Sequence, residues 1–233
     1  MASGNTATSE PESAVAADRK RRDVVELCVG YVLILIVIWT PRPWQQRTYF
    51  ATAIFIVAAT WLAFPGWKAM GFHFANLARS SWIVGTALLA SALAVLVARL
   101  AHTLHAPDGP VQFLERYAGY IVFAFVQQAL LQDFFLLRLL RLMRSPRSAA
   151  LVAAIVFSLA HLPNPILVVV TFACGLAACL LFLRYRSLYT LAVAHAILGI
   201  TLAMTIPGPV IRNMRVGLGY LTYSSHQIHH RNH

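Results

Sequence analysis

Apolar runs recur along almost the whole of this 233-residue chain and constrain its fold more than any other feature. They cover residues 24–40, 49–64 and 82–104, a fourth segment of about 30 residues after Pro110, and residues 149–162, 166–183 and 188–206. A membrane-spanning helix needs about 20 predominantly apolar residues. Charged residues make up only 12% of the chain, against about 25% in soluble domains. The sequence therefore predicts an all-α, polytopic membrane helix bundle of about seven transmembrane helices.

Positive charge is concentrated at the ends of the apolar segments. The net charge is +11, but Lys and Arg do not line one face, which favours membrane lipid headgroups over nucleic acid as partners. A basic cluster at residues 19–22 precedes the first run and predicts a cytoplasmic N-terminus in a bacterial-type inner membrane. The three cysteines, Cys28, Cys174 and Cys179, lack CxxC spacing and read as small buried hydrophobes.

Four regions follow from the runs and the breaks between them. They are a disordered basic cytoplasmic tail (1–23), three helices with an interfacial segment at 66–82 (24–110), a core of helices four to seven (111–206), and a C-terminal tail (207–233). Within that tail, residues 210–221 could form a short eighth helix, although two glycines weaken it. The closely spaced His226, His229 and His230 are expected to lie in an exposed tail.

Polar residues interrupt the fourth segment where a span should resemble hydrocarbon. Gln128 and Gln132 are four apart, so their amides should lie on one helix face. Asp133 is about 100° further round, and Arg138 is about 140° from Asp133, too far for a good pair. A carboxylate at the bilayer centre costs roughly 2.5–3.5 kcal/mol even on insertion scales. A buried Asp133 must therefore find a partner on another helix or take up a proton, unless a tilt brings it to the cytoplasmic interface.

Two histidines lie in equally apolar surroundings. Phe157 and His161 form an i, i+4 pair near the end of the fifth run, and His195 lies midway along the last. A lone membrane histidine often makes only a helix-to-helix hydrogen bond. Two of them beside a glutamine-rich helix predict a shared polar site.

These residues, in this order, resemble the CPBP (Abi, or type II CAAX prenyl protease) family of intramembrane glutamic endopeptidases. That family carries EExxxR, FxxxH and HxxxN motifs on successive helices. The second motif is intact from Phe157 to His161, and the Leu-Pro-Asn-Pro that follows, with Asn164, looks like a family continuation. In the third motif His195 matches, but Gly199 stands in place of the Asn. The resemblance covers residues 117–206.

The first motif departs from the family pattern. Family spacing from His161 places the glutamate pair at Gln127 and Gln128, with Gln132 in place of the arginine, so amides replace the charged groups throughout. A second alignment places Asp133 at the leading acid and Arg138 at the arginine, but it brings the motif closer to His161. The first alignment keeps the spacing and loses the acid, whereas the second keeps the acid and loses the spacing.

The resemblance implies a site that hydrolyses a peptide bond of a membrane-anchored protein or peptide. It implies roles for His161 and His195 as water or oxyanion partners, with Gln128 and Gln132 as polar orienting groups. A neutral amide cannot serve as a general base, so Asp133 or a histidine would have to supply it. Gln127, Phe157 and Asn164 are the candidate substrate-binding residues.

The sequence leaves other functions open. A catalytically impaired relative could bind a membrane peptide as an immunity or scaffold protein, which the Gln-for-Glu and Gly-for-Asn differences favour. No cofactor is expected; the alternative is a divalent metal held by His161, His195 and Asp133, a two-histidine, one-carboxylate set. A small transporter is a further alternative, but the chain shows no internal repeat of the kind transporters carry.

Overall fold

A computed structural model describes residues 9–223, with side chains from residue 14 onwards, and consists of helices joined by short connections. The helices are α1 (Ser9–Trp39), α2 (Arg42–Leu62), α3 (Leu77–Leu100), α4 (Pro110–Ala129), a π-turn (Leu130–Leu136), α5 (Leu137–Leu142), α6 (Pro146–Leu159), α7 (Pro165–Tyr185), α8 (Leu188–Thr205), α9 (Gly208–Ile211) and α10 (Gly217–Leu221). Within this described part no strand occurs. The prediction of an all-α helical bundle is confirmed.

Four helical stretches are long and apolar enough to cross a membrane. They are Leu77–Leu100, Pro110–Leu142, Pro165–Tyr185 and Leu188–Thr205. The second comprises α4, the π-turn and α5 in one run of 33 residues, well above the roughly 20 that a crossing needs. The protein is therefore a multi-pass membrane protein, and seven spans, which would also require α1, α2 and α6 to cross, stays a prediction.

Close packing around α6 places the π-turn beside α7. The α6 face turned to the core carries Ala149, Ala150, Ala153 and Ala154, all fully buried. Small side chains let helix backbones approach closely in membrane proteins. Helix α6 accordingly packs along α7 and against the π-turn, while α8 packs between α3 and α4. This arrangement brings the polar residues of α4, α6 and α8 to the middle of the bundle.

Helix α1 begins at Ser9 and includes residues for which the sequence predicted a disordered tail. Asp23 is fully buried and accepts two hydrogen bonds from Arg141, at 2.7 Å from Nε and 2.6 Å from Nη2. Glu26 accepts a 2.9 Å hydrogen bond from Nε of Arg138. Two ion pairs therefore hold α1 against α5, and in the second of them Arg141 remains partly exposed.

The segment between α2 and α3, predicted to be interfacial, folds over the connection between α7 and α8. Gly71 has a φ of +75°, and a Cβ there would lie 2.9 Å from the backbone nitrogen of Leu188. That nitrogen donates to the Gly71 carbonyl at 3.2 Å. The amide of Asn76 donates to the Tyr185 carbonyl at 2.7 Å. The first bond holds the start of α8 and the second holds the end of α7, so the segment fixes the connection between these two helices.

The C-terminal segment packs onto the turn between α6 and α7. Gly217 N–H donates to the Leu162 carbonyl at 2.8 Å, and Ile211 is buried. Instead of one helix near residues 210–221, two short helices, α9 and α10, form on either side of a 3₁₀ turn. The histidines His226, His229 and His230 lie outside the described residues.

Candidate functional site

The polar groups of the fourth segment lie where α4 changes into the π-turn. Gln128 is in the last turn of α4, and Gln132 and Asp133 are in the π-turn itself. A π-turn closes hydrogen bonds from residue i to i+5 and occurs frequently at functional sites. The sequence, read as a regular α-helix, gave no sign of this change. The expected contact between Gln128 and Gln132 is nevertheless present, because Nε2 of Gln132 donates to Oε1 of Gln128 at 3.1 Å.

A chain of amides fixes the orientation of His195. Since Gln132 donates to the oxygen of Gln128, the nitrogen of Gln128 faces His195, and Nε2 lies 3.0 Å from Nδ1 of the imidazole. The amide donates, so Nδ1 accepts, and the network assigns the proton of neutral His195 to Nε2. Gln132 itself is fully buried behind Gln128. It positions Gln128 rather than facing a ligand.

His161 is held in the opposite tautomer by the end of α6. The helix stops at Leu159, and its last carbonyls lack intrahelical partners. His161 supplies partners for two of these carbonyls. Its backbone N–H donates to the Ser158 carbonyl, and its Nδ1 lies 2.9 Å from the Phe157 carbonyl. A carbonyl only accepts, so Nδ1 carries the proton and Nε2 of neutral His161 has a free lone pair. The FxxxH pattern thus has a direct structural meaning in this chain.

Two cavities meet at Phe157. The α8 cavity, of about 560 Å³, is lined by residues that include Tyr120, Gln128, Phe157 and His195. The α1 cavity, of about 580 Å³, is lined by residues that include Gln127, Asp133, Phe157 and His161. Each histidine lines one of the two cavities and Phe157 lines both, so the shared polar site expected from the sequence stays a prediction. That ring packs against His161 with 5.0 Å between centroids.

Asp133 is buried, at 4% exposure, and neither carboxylate oxygen has a hydrogen-bond partner among the described residues. It shares the α1 cavity with His161 but is hydrogen-bonded to neither histidine. The expected lack of a pair with Arg138 is confirmed, and the cause is now clear. Arg138 binds Glu26, donates to the Phe134 carbonyl at 3.0 Å, and lies 4.3 Å above the Phe134 ring.

Arg186, in the connection between α7 and α8, is the cation that acts on Asp133 from outside the spans. Burial lowers the pKa of its guanidinium below the ordinary value, and the charge of Asp133 partly offsets this. Arg186 also donates to the Ala69 carbonyl at 3.2 Å. The carboxyl is therefore influenced by a positive charge without being bound to it.

Of the predicted substrate-binding residues, Gln127 and Phe157 line a cavity and Asn164 does not. The Asn164 side chain caps α7 by accepting from Leu167 N–H at 3.2 Å. It donates to the carbonyls of Ile211 at 2.9 Å and Arg215 at 3.2 Å. These bonds engage both ends of the Asn164 amide in holding the C-terminal segment, and its role in substrate binding stays a prediction.

The alternative metal set is His161, His195 and Asp133. Among residues 14–223, whose side chains the structure describes, no three His, Cys, Asp or Glu side chains form a group that could hold a metal ion. A metal-dependent reaction stays an alternative prediction.

Sequence reasoning missed Tyr120, which lines the α8 cavity with Gln128 and His195. A signal for it existed. Tyr120, Ala124, Gln128 and Gln132 recur every four residues and so follow one face of the helix. The polar face of α4 therefore starts two turns before the glutamines.

The fold and site define a multi-pass membrane protein with polar catalytic-type side chains in its interior. Comparison with protein families gives a more specific assignment: residues 112–201 match the family described as "Type II CAAX prenyl endopeptidase Rce1-like". The match includes all three motif positions, and the resemblance predicted from the sequence is confirmed over these residues. No curated protein and no solved structure was found to match the chain.

Proposed function

We propose that this protein is an intramembrane endopeptidase that hydrolyses a peptide bond of a membrane-associated protein or peptide. One observation carries the proposal: two histidines held in opposite tautomers beside a common wall, one with a free lone pair and one with a free N–H. Hydrolysis of an amide needs an acceptor for a proton of water and a donor for the oxyanion. The endopeptidase family matched by residues 112–201 supports the same reaction.

In the proposed reaction, water attacks the scissile carbonyl and gives its proton to Nε2 of His161. The oxyanion accepts a hydrogen bond from Nε2–H of His195 and from the amide hydrogen of Gln128 that His195 does not use. His161 then returns the proton to the leaving amine as the C–N bond breaks, so protons balance over the cycle. No cofactor takes part in this scheme.

Asp133 has the role of stabilising the His161 imidazolium that forms when water is deprotonated. It lines the same cavity as His161 and is the acid that this cavity contains. In a weakly polar interior, a carboxylate interacts with a new positive charge far more strongly than it would in water. This role makes Asp133 the functional substitute for the family's glutamate, with the water bound by His161.

The proposed setting is the inner membrane of a bacterial-type cell, with the N-terminus cytoplasmic. The basic cluster at residues 19–22 supports this orientation. Lipid is the expected neighbour of the exposed apolar side chains on α2 and α3, such as Ile54 at 69% and Leu89 at 63% exposure. The substrate then reaches the cavities from the membrane or its surface.

The test uses purified protein in phospholipid vesicles with a library of membrane-anchored peptides, and products are read by mass spectrometry. His161→Ala and Asp133→Asn should each lower the rate at least about 100-fold, as loss of a general base or its charge partner does. His105→Ala is the matched control, because His105 is an exposed histidine that lines neither cavity. Cleavage that survives both site substitutions would sink the proposal.

A second function, binding of a membrane peptide without hydrolysis, is favoured by one observation. The Gln132, Gln128 and His195 chain carries amides where the family has acids. Gln128→Glu separates the two functions, because it supplies an acid beside His195 without changing side-chain size. If the native protein binds library peptides without cleaving them and Gln128→Glu confers cleavage, the native protein is a binder.

A further inference from the structure

Gly199 and Tyr120 form an unusually close contact between α8 and α4. A Cβ built at residue 199 would overlap the hydroxyl of Tyr120 and lie 2.6 Å from Cζ and 2.7 Å from Cε1 of its ring. Real Cβ atoms essentially never approach other atoms this closely. The phenol therefore occupies the space that any side chain at residue 199 would need.

The Tyr120 hydroxyl is well placed to act in the α8 cavity. Its ring and that of His195 have centroids 6.5 Å apart, and both side chains line this cavity with Gln128. Gly199 lines it too and is four residues after His195, one turn further along α8. Within residues 14–223 the hydroxyl makes no hydrogen bond to another side chain or to the backbone, so its proton is free for a ligand.

We propose that Tyr120 is a third hydrogen-bond donor to the oxyanion, beside His195 and Gln128, and that residue 199 is glycine because Tyr120 fills its place. This inference rests on the proposed peptide hydrolysis and names a further catalytic residue for it. Tyr120 keeps its proton throughout: the phenol donates to the developing negative charge, and no bond to Tyr120 forms or breaks. A donor aimed at the charge that develops in the transition state raises kcat more than it lowers KM.

The first experiment compares Tyr120→Phe with the native protein in the vesicle assay. This change removes the hydroxyl alone, and kcat should fall about 10- to 100-fold with KM little changed, somewhat less than the 10²–10³ typical of removing one oxyanion donor. An unchanged kcat in an enzyme that does cleave peptides would overturn the role of Tyr120 and leave the proposed hydrolysis standing.

The second experiment uses Gly199→Ala, which should displace the phenol and lower kcat at least as much as Tyr120→Phe does. Gly119→Ala is the matched control, because a Cβ at that position on the same helix as Tyr120 meets no atom within 4 Å. If both changes act through one hydroxyl, Gly199→Ala should cost little further kcat when Phe already replaces Tyr120. Fully multiplicative losses would contradict the shared cause.

A third measurement keeps the inference testable if the native protein cleaves no peptide, which would refute the proposed function. Membrane-anchored peptides with a phosphinate in place of one backbone amide imitate the anionic tetrahedral centre. Tyr120→Phe should weaken their binding about 10-fold, while Gly119→Ala binds as the native protein does. Equal binding by the native protein and Tyr120→Phe, or no binding to the native protein, would overturn the assignment.

Discussion

Ionisable side chains have hydrogen-bonded partners at one end of the Pro110–Leu142 run and, within the described chain, lack them in the π-turn. At its α5 end, Arg138 and Arg141 are each paired with an acid of α1, and both acids and Arg138 are buried. In the π-turn, only five residues before Arg138, Asp133 is equally buried and has no hydrogen bond. Buried polar groups are normally satisfied. The difference separates groups that hold the bundle together from Asp133, to which we assign a role in the proposed reaction.

The largest expected effect lies at the paired end. Glu26→Gln should lower the free energy of unfolding by about 3–5 kcal/mol, because Arg138 would remain buried without a compensating charge. The guanidinium is 1% exposed and its Nη2 already lacks a partner within the described chain. Equilibrium unfolding in mixed micelles measures the change. Glu115→Gln, at an exposed acid, should alter stability by less than about 0.5 kcal/mol, and an equal loss in both would refute the contrast.

Asn164→Ala should have an intermediate effect on stability. The Asn164 amide makes three hydrogen bonds, whereas the Asp133 carboxyl makes none among the described residues. Losing a helix cap and two bonds to the C-terminal segment should cost about 1–3 kcal/mol. It should also speed trypsin cleavage after Arg212 or Arg215, which limited proteolysis detects. Ser81→Ala, which removes an exposed hydroxyl bonded to its own helix, is the control. A cleavage rate equal to that of Ser81→Ala would show that Asn164 does not anchor the segment.

Asp133→Asn should change the free energy of unfolding in the opposite direction to Glu26→Gln. Replacing a buried carboxyl that has no hydrogen-bond partner among the described residues by an amide should leave stability unchanged or raise it, by up to about 2 kcal/mol, while peptide cleavage is lost. The same unfolding measurement, set beside the vesicle assay, tests both. A marked loss of stability would mean that Asp133 holds the bundle together, and the comparison between the two regions would fail.

Removal of divalent metal ions with a chelator should leave the rate of peptide cleavage unchanged. The scheme proposed above activates water with His161 and Asp133 and uses no metal ion. Cleavage rates before and after treatment with a chelator, and elemental analysis of the purified protein, provide the measurement. Loss of activity that zinc or another divalent ion restores would favour the metal-dependent alternative.

Periodicity and local spacing were enough to predict part of this structure. Hydropathy located the apolar helices of the core, and the four-residue spacing correctly paired Gln128 with Gln132. Spacing also paired Phe157 with His161. Their rings pack together, and the His161 side chain is in addition hydrogen-bonded to the backbone carbonyl of Phe157. Such contacts lie within one helical turn, where sequence separation fixes distance.

Contacts between distant segments were not predictable in this way. Asp23 fell at the end of the predicted disordered tail, yet Arg141, far along the chain, pairs with it. The contact of Tyr120 with Gly199 depends on the separation of α4 and α8, which no local pattern encodes. The π-turn depends on the packing of α6 and α7 around it, since residues 130–136 have an ordinary helical composition.

The π-turn also sets the rotation, about the helix axis, of Arg138 and Arg141 relative to Gln128. Each residue of an α-helix advances about 100° around the axis, so a change from π to α hydrogen bonding between Gln128 and Arg138 would turn one end relative to the other. If the site end stayed fixed by the bond to His195, the guanidinium groups of Arg138 and Arg141 would rotate away from α1. The ion pairs between α1 and α5 thus oppose rotation of α5 about its axis. They thereby keep the carboxyl of Asp133 directed into the cavity that His161 also lines.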